Sequence, residues 1–218
     1  QCIKFENGLF DMKKQLIFLS LVALLMTQCA KKTLIIYDEI PSQPILQIPQ
    51  ELRGVWITRF NWAHPDQDIM KQNIISLMKH VAEMNYNTVF FQVRGQCETL
   101  YPSPLEPWSK LLKNNIPDYD PVALAVQEAH KNGLSFHAYI NLIPLWNEKI
   151  PPADSTHLFF KHGPEVDPQN SWVCFEPTGQ PMKINEYYYL NPALPNVKTY
   201  LKNVIRHFVE NYDIDGVH

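Results

Sequence analysis

The chain has 218 residues, with 19 lysines and arginines against 22 aspartates and glutamates, so its formal net charge is −3 at pH 7. This slightly acidic balance, without a basic run outside the N-terminal region, argues against a nucleic-acid partner. Once the N-terminal segment described next is set aside, residues 29–218 amount to the length of one domain.

A secretory signal is predicted at residues 12–29. Lys13 and Lys14 follow the first methionine and precede an eleven-residue segment that is apolar apart from Ser20. A basic region followed by an apolar one is typical of signal peptides. The apolar segment is shorter than the roughly 20 residues that a membrane-spanning helix requires. Residues 1–11 are therefore expected to be upstream translation.

A lipidation site is predicted at Cys29. The string Met-Thr-Gln-Cys resembles the lipobox of bacterial lipoproteins, in which the cysteine becomes the lipidated first residue of the mature protein. Met26 and Gln28 depart from the leucine and the small residue that are usual at those places. We expect a lipoprotein that is exported to the bacterial cell envelope and anchored in a membrane. Residues 30–50, with three prolines, are expected to form the linker.

From Glu51 onward, β-branched and aromatic segments alternate with segments of helical periodicity. Asp120, Pro121 and Gly133 mark the start and end of one predicted helix. The predicted strands are residues 53–58, 88–94, 135–141 and 214–218, and the predicted helices are residues 68–84, 120–133 and 197–212. This alternation predicts βαβ units and a parallel sheet.

Two of the predicted strands have a polar face. His137, Tyr139 and Asn141 alternate with apolar residues on one strand, and Gln92 and Arg94 do so on another. Strands covered by helices on both faces are usually apolar throughout. Here the strand face becomes more polar toward the C-terminal end of the strand. This suits the lumen of a (β/α)₈ TIM-type barrel, an α/β fold whose lumen opens into an active site at that end. The alternative is that these groups are hydrogen-bonded core residues.

Long segments follow the predicted strands, at residues 59–66, 95–119 and 142–190. Four of the five tryptophans lie in them: Trp62, Trp108, Trp146 and Trp172. Because such loops leave the C-terminal ends of parallel strands, we expect these tryptophans on one rim with Arg94 and Asn141. Flat aromatic rings suit the apolar C–H faces of sugars, so the pattern predicts a carbohydrate groove.

Five strings from Glu51 onward resemble the glycosyl-hydrolase-like 10 family of bacterial envelope proteins. They are ELRGVWIT, NTVFFQVRGQCETLYPS, DPVALAVQEAHKNGLSFHAYIN, YLNPALPNVKTYL and YDIDGVH. The resemblance implies a TIM-type barrel related to sugar-cleaving enzymes, with a carbohydrate substrate. The chain is also similar to outer-membrane lipoproteins of this family that cut peptidoglycan glycan strands stripped of their peptides. We expect no cofactor.

The last residues of the chain resemble the start of a longer family motif, D-G-[IV]-H-F-D-D-Y. A complete barrel takes about 250 residues, whereas four strands are predicted here. We therefore expect residues 51–218 to be the N-terminal half of a barrel. The main catalytic carboxylates are expected just beyond His218, and the chain as given is expected to be inactive.

Substrate contacts are expected from the polar strand residues and the loop tryptophans: Gln92, Arg94, His137, Tyr139, Asn141, His218, Trp62, Trp108, Trp146 and Trp172. Weaker candidates are Arg59, Glu98 and Asn191. Strand parity places Asp215 on the opposite face from His218, so we expect it to be structural. Cys97 and Cys174 form neither a disulfide scaffold nor a metal site, and whether they pair is left open.

Two other classes of protein stay open at this point. One is a non-catalytic envelope lipoprotein that binds glycan, whose complete form would lack paired carboxylates. The other is a metal-dependent barrel hydrolase. Such enzymes commonly carry an H-x-H pair on the first strand, and residues 53–60 contain no histidine. No metal is therefore expected.

Overall fold

The computed structural model of the chain describes residues 51–218. The predicted upstream segment (1–11), the signal peptide (12–29) with its lipidation site Cys29, and the linker (30–50) all lie outside the described residues. Between residues 51 and 218, no helix combines the length and the apolar character needed to cross a membrane.

Strands and helices alternate along the described chain, as the sequence predicts. In chain order they are β1 (Gly54–Ile57), α1 (Gln67–Glu83), β2 (Thr88–Gly95), β3 (Glu98–Thr99), α2 (Pro121–Lys131), β4 (Ser135–Ile140), β5 (Pro144–Trp146), α3 (Leu158–His162), β6 (Lys183–Ile184), β7 (Tyr187–Tyr189), α4 (Pro195–Asn211) and β8 (Gly216–Val217). The four predicted strands and three predicted helices are all present, with ends that differ by at most two residues.

The main sheet is parallel and follows chain order. Its strands lie side by side as β1-β2-β4-β8, and the two-residue strand β3 pairs antiparallel with β2. In a doubly wound sheet the order would reverse at a switch point. A sheet in which each strand lies beside its predecessor, with helices between, is the arrangement of a TIM-type barrel. The described residues therefore form four strands of that fold.

Helices α1 and α2 begin within one residue of their predicted starts, because side chains cap them. Asp66 accepts hydrogen bonds from the first backbone N–H groups of α1, and Asp120 does the same for α2, with Pro121 in the first turn. Each helix then turns an apolar stripe toward the sheet. In α1 that stripe consists of Met70, Ile74, Met78 and Val81, all buried.

The core lies between the helices and one face of the sheet. On β4 the residues Phe136, Ala138 and Ile140 are buried in it, whereas the alternate residues are only half-buried. On β2 the residues Val89, Phe91 and Val93 belong to the same core. The predicted alternation of faces is therefore confirmed for β4 and for most of β2.

A β-bulge interrupts that alternation at the end of β2. Gln92 pairs with Tyr139, but Arg94 pairs with Ile140, so one extra residue is accommodated in β2 between the two pairs. A bulge reverses the direction of the side chains that follow it. Arg94 consequently turns away from the face that carries Gln92.

Arg94 is fully buried in an ion pair with Glu106. Its Nε and Nη2 atoms donate to the two carboxylate oxygens at 2.6 and 2.5 Å. The Nη1 group donates to the carbonyls of Asn141 and Leu142, and the hydroxyl of Tyr200 donates to Glu106. Burial alone would lower the pKa of Arg94, but Glu106, Cys97 and Tyr200 together outweigh it and hold this pKa well above its ordinary value. Arg94 is a predicted substrate contact, and the structure places it in the interior, where its hydrogen-bonding capacity is used inside the fold.

The long segment after β4 contains structure that the sequence did not predict. Strands β5, β7 and β6 form a small antiparallel sheet, and α3 lies between β5 and β6. A second core cluster under it includes Leu145, Trp146, Leu190 and Val197. These strands have two or three residues each, which is too short for a periodic pattern to show.

We expect Arg94→Met to lower the free energy of unfolding by about 3–5 kcal/mol, because it leaves the Glu106 carboxylate buried without a partner. Chemical denaturation of the full chain measures the loss. Lys79→Ala is the matched control, since it removes an exposed helical ion pair with Glu83 and is expected to cost about 0.5 kcal/mol or less. Equal losses in the two variants would contradict the role given to Arg94.

Candidate active site on the open face of the sheet

The face of the main sheet opposite the helices carries a cluster of aromatic and imidazole side chains, here called the open face. Its members are Trp56 of β1, Phe90 of β2, His137 and Tyr139 of β4, and His218. Strand register places them side by side, since Trp56 pairs with Phe90 and Phe90 with His137. In a TIM-type barrel, the side chains on this face of the sheet point into the lumen.

Ring contacts hold this cluster together. Trp56 stacks on Phe90 with 4.5 Å between ring centroids, and its Nε1 donates to Nε2 of His218 at 3.0 Å. His218 also meets Phe90 at 5.0 Å and the edge of Tyr139 at 5.6 Å. Because Nε2 of His218 accepts this bond, the neutral ring carries its proton on Nδ1. Trp56 nevertheless remains 55% exposed.

Two glycines make room for the cluster. A β-carbon at Gly54 would lie 2.6 Å from the ring of Phe90, and one at Gly216 would lie 2.6 Å from Nδ1 of His137. Side chains at these positions would therefore displace the rings that form the open face. Gly216, the glycine of the Asp-Gly pair near the end of the chain, thus has a packing role. It is also part of the sequence motif.

Arg59 lies at the C-terminal ends of the strands, beside the open face. Its backbone N–H donates to Oε1 of Gln92 at 3.0 Å, and its guanidinium lies over Gly95, where a side chain would collide with it. Burial lowers the pKa of Arg59, while Tyr187, Glu98 and Tyr139 act in the opposite direction. The predicted substrate residue Gln92 thus acts inside the fold, by positioning Arg59.

Glu98 lies on a tight hairpin between β2 and β3. Gly95 pairs with Glu98, and the two residues between them have positive φ angles, 60° at Gln96 and 57° at Cys97. This is the backbone of a type I′ turn, which normally selects asparagine and glycine. Glu98 is 6% exposed, and the hydroxyl of Ser109 donates to it at 3.2 Å. Burial raises the pKa of the Glu98 carboxyl to about 7.

The four loop tryptophans do not form one groove. Trp62 is fully buried in the helix-side core, where it stacks on Phe91 at 4.7 Å. Trp146 is 2% exposed in the second core cluster, and its Nε1 donates to the carbonyl of Ile150. Both are predicted substrate contacts, and the structure places them in the apolar interior of their loops. Trp108 and Trp172 are half-buried.

Other candidates have roles in local structure. The carbonyl of Asn141 accepts from Arg94, and the side chain of Asn191 accepts from the N–H of Ala193 in the turn before α4. Asp215 accepts from the N–H of Phe136 at 2.7 Å and lies 3.0 Å from Nε2 of His130, so its predicted structural role is confirmed.

The two cysteines do not pair. Cys97 and Cys174 are both free thiols, and burial raises the pKa of Cys97 to about 12. Cys97 instead supports the hairpin, since Nη2 of Arg94 donates to its sulfur at 3.4 Å.

Sequence reasoning missed Trp56, Phe90 and Tyr187. The alternation of β1 could have found Trp56, because Val55 and Ile57 share the apolar face and leave Trp56 on the other. The same rule places Phe90 with Gln92. Tyr187 had no such signal, since its position depends on the small sheet that follows β4.

A parallel sheet in barrel order, with aromatic and polar side chains on its lumen face, is the fold of the TIM-barrel glycosidases. The α-L-fucosidase isoenzyme 2 from Paenibacillus thiaminolyticus has a similar fold, with a TM-score of 0.52 over 77% of this chain and 23% of that protein. The sequence identity is 15%, so the likeness concerns the fold alone.

The chain belongs to the glycosyl hydrolase-like 10 family, whose profile matches residues 51–218. It is 31% identical to the glycosyl hydrolase YngK of Bacillus subtilis (strain 168) over 190 residues, which cover 82% of this chain and 34% of YngK. It is 27% identical to the glycosyl hydrolase DigH of Escherichia coli (strain K12) over 193 residues, which cover 81% of this chain and 43% of DigH. The chain therefore spans less than half the length of these relatives.

The raised pKa of Glu98 predicts a pH dependence of stability. The folded state binds this proton more tightly than the unfolded chain, in which the pKa is near 4.5. The contribution of Glu98 is therefore fully present below about pH 4.5 and is lost as the pH rises through about 7. Between these limits we expect the free energy of unfolding of the wild type to fall by about 3 kcal/mol relative to Glu98→Gln. Chemical denaturation across this range measures the difference, and a constant difference would contradict the burial of this carboxyl.

Proposed function

We propose that the complete protein hydrolyses glycosidic bonds of a bacterial envelope glycan, and that its substrate is peptidoglycan strands freed of their peptides. The observation that carries the proposal is membership of the glycosyl hydrolase-like 10 family across the whole described sheet. Support for a sugar substrate comes from the open face, where an exposed Trp56 lies beside two imidazoles and a tyrosine. Aromatic rings bind the apolar faces of sugars, while the polar groups bind hydroxyls.

The chemistry we propose uses two carboxylic groups. One protonates the leaving oxygen, and the other acts as base or nucleophile at the anomeric carbon. The resemblance of the final residues to the family motif implies two aspartates just after His218. The first of these would share the face of His218, because alternate residues of a strand point the same way.

We expect protein expressed from the full reading frame that contains residues 51–218 to release reducing ends from amidase-treated, peptide-free glycan strands. Intact sacculi serve as the comparison substrate and are expected to release fewer ends. A reducing-end assay with separation of the products by chromatography measures both. Failure to release ends from any peptidoglycan preparation would contradict the proposal.

Variants of two exposed aromatic residues locate the glycan on the protein. Trp56→Ala is expected to raise KM about tenfold, since it removes a stacking surface of the open face. Tyr86→Ala is the matched control, because Tyr86 lies before β2, at the opposite end of the strands. Equal effects of both variants would contradict the placement of the substrate.

An alternative is an envelope protein that binds glycan without cutting it. The observation that favours it is that the described members of the open face include no carboxylate. Glu98 lies beside this face, near Arg59. Retention of the full-length protein on peptide-free strands, without release of reducing ends, would decide for binding alone.

The proposal also includes a lipid anchor at Cys29 and a location in the outer membrane. Its support is the basic segment, the apolar segment and the partial lipobox in the sequence. We expect Cys29→Ala to move the protein from the detergent phase to the aqueous phase. Mass spectrometry of the wild-type N-terminus should find diacylglycerol on Cys29. An unchanged partition, with no lipid on the wild type, would overturn the anchor.

A further inference from the structure

We propose that Glu98 is the general acid of this hydrolysis, delivering a proton to the oxygen of the leaving sugar. This inference rests on the proposed function, and it assigns one of the two carboxylic groups to the described part of the chain. Four observations carry it, and each concerns the surroundings of Glu98.

The first observation is that the charge of Glu98 has no ion-pair partner. Three glutamates are buried among the described residues: Glu98, Glu106 and Glu128. Glu106 is paired with Arg94, and Glu128 lies 3.1 Å from Nζ of Lys131. Within residues 51–218 Glu98 forms no salt bridge within 4.0 Å, and it accepts from the hydroxyl of Ser109 and the backbone of Lys110. The more distant charges of Lys110 and Arg59 lower its pKa, but burial outweighs them. Burial without a paired charge favours the protonated carboxyl.

The second observation is that Glu98 lines a cavity. The cavity has a volume of about 100 Å³, and Trp108, Ile116 and Asp154 are also among its walls. Glu106 and Glu128 do not line it. A small part of a ligand could therefore reach Glu98, although the residue itself is 6% exposed.

The third observation is that Glu98 is held in place by a strained turn. Non-glycine residues with positive φ are uncommon. Among the described residues they occur in succession at Gln96 and Cys97, and also at Lys113 and Asn114 and at Asn185 and Glu186. Such strain persists where the surrounding structure fixes it, and it is concentrated at functional sites. Here the contact of Arg94 with the sulfur of Cys97 fixes the turn.

The fourth observation is that Glu98 lies beside the open face. The guanidinium of Arg59 lies against Gly95, which pairs with Glu98. The backbone of Arg59 is bound to Gln92, which pairs with Tyr139 of the open face. The carboxyl of Glu98 would thus lie at the edge of a sugar bound on the open face. The carboxyl is partly protonated at neutral pH, because burial raises its pKa to about 7, and a general acid needs a pKa of this kind.

The proposed step balances as follows. Glu98 gives its proton to the glycosidic oxygen while the bond from that oxygen to the anomeric carbon breaks, and the bonding electrons stay on the oxygen. A water molecule adds its oxygen to the anomeric carbon and loses a proton to a second carboxylate. Proton exchange with solvent then restores the acid form of Glu98, so the net reaction consumes one water and yields two sugar ends.

The test compares Glu98→Gln with the wild type, both expressed from the full reading frame. On peptide-free glycan strands we expect the variant to be slower by about 10²- to 10⁴-fold, the usual contribution of a general acid. On an aryl glycoside whose leaving group is 2,4-dinitrophenol, the loss should be only a few-fold, because that group leaves without a proton. The wild-type rate on glycan strands should also fall as the pH rises above about 7, and this limb should disappear in the variant.

Glu128→Gln is the matched control, since it makes the same change at a buried glutamate of α2 and should leave all these rates unchanged. Glu98→Asp retains the acid on a shorter side chain and should recover part of the activity on glycan strands, which a merely structural role would not require. If Glu98→Gln does not fold, the pH profile of the wild type and the rates of Glu98→Asp decide the question.

The outcomes separate the two proposals. A wild type that releases no sugar ends overturns the proposed function. A wild type that does release them, together with a folded Glu98→Gln variant of normal rate or with equal losses on both substrates, overturns the role of Glu98 alone.

Discussion

The buried ion pair between Arg94 and Glu106 connects the end of β2 with three neighbouring parts of the chain. Through it the end of β2 is bound to the loop at Glu106, to the two carbonyls that follow β4, and to Tyr200 of α4. The same guanidinium contacts Cys97, which lies in the turn before Glu98. Because TIM-type barrels build their sites at the C-terminal ends of the strands, a charge pair buried there orders the whole rim. Such a pair costs desolvation, and it persists because four further groups bind to it.

The bulge in β2 separates the structural side chains from those left for a ligand. It turns Arg94 into the interior, and Gln92, just before it, holds the backbone of Arg59. The open face is then left to aromatic and imidazole rings packed over two glycines. Among residues 51–218 these side chains contact one another, and the proposal is that a sugar binds over them. The family match over residues 51–218 supports the proposal that this face lines the lumen of a glycosidase.

Periodicity predicted the parallel strands and the long helices because each repeats its pattern over several residues. Periodicity failed to predict the position of a side chain where a single contact determined it. Arg94 was assigned to the lumen by alternation, and the bulge, which leaves no signal in the sequence, reversed it. The sequence predicts Trp62 and Trp146 in a groove. Loops of this length need an apolar interior, however, and these two side chains are buried in it. Glu98 was considered a weak candidate, since a loop carboxylate is usually solvated and only the hairpin buries it.

The central claim is that sugar binds on the open face, and histidine NMR tests it most directly. Peptide-free glycan fragments would be titrated into the full-length protein while the imidazole Cε1–H signals are followed. The account predicts that the signals of His137 and His218 shift with the ligand, because their rings lie in the cluster with Phe90. The signal of His80, on the last turn of α1, should stay unchanged. A titration that shifts His80 and leaves His137 and His218 in place would contradict the account.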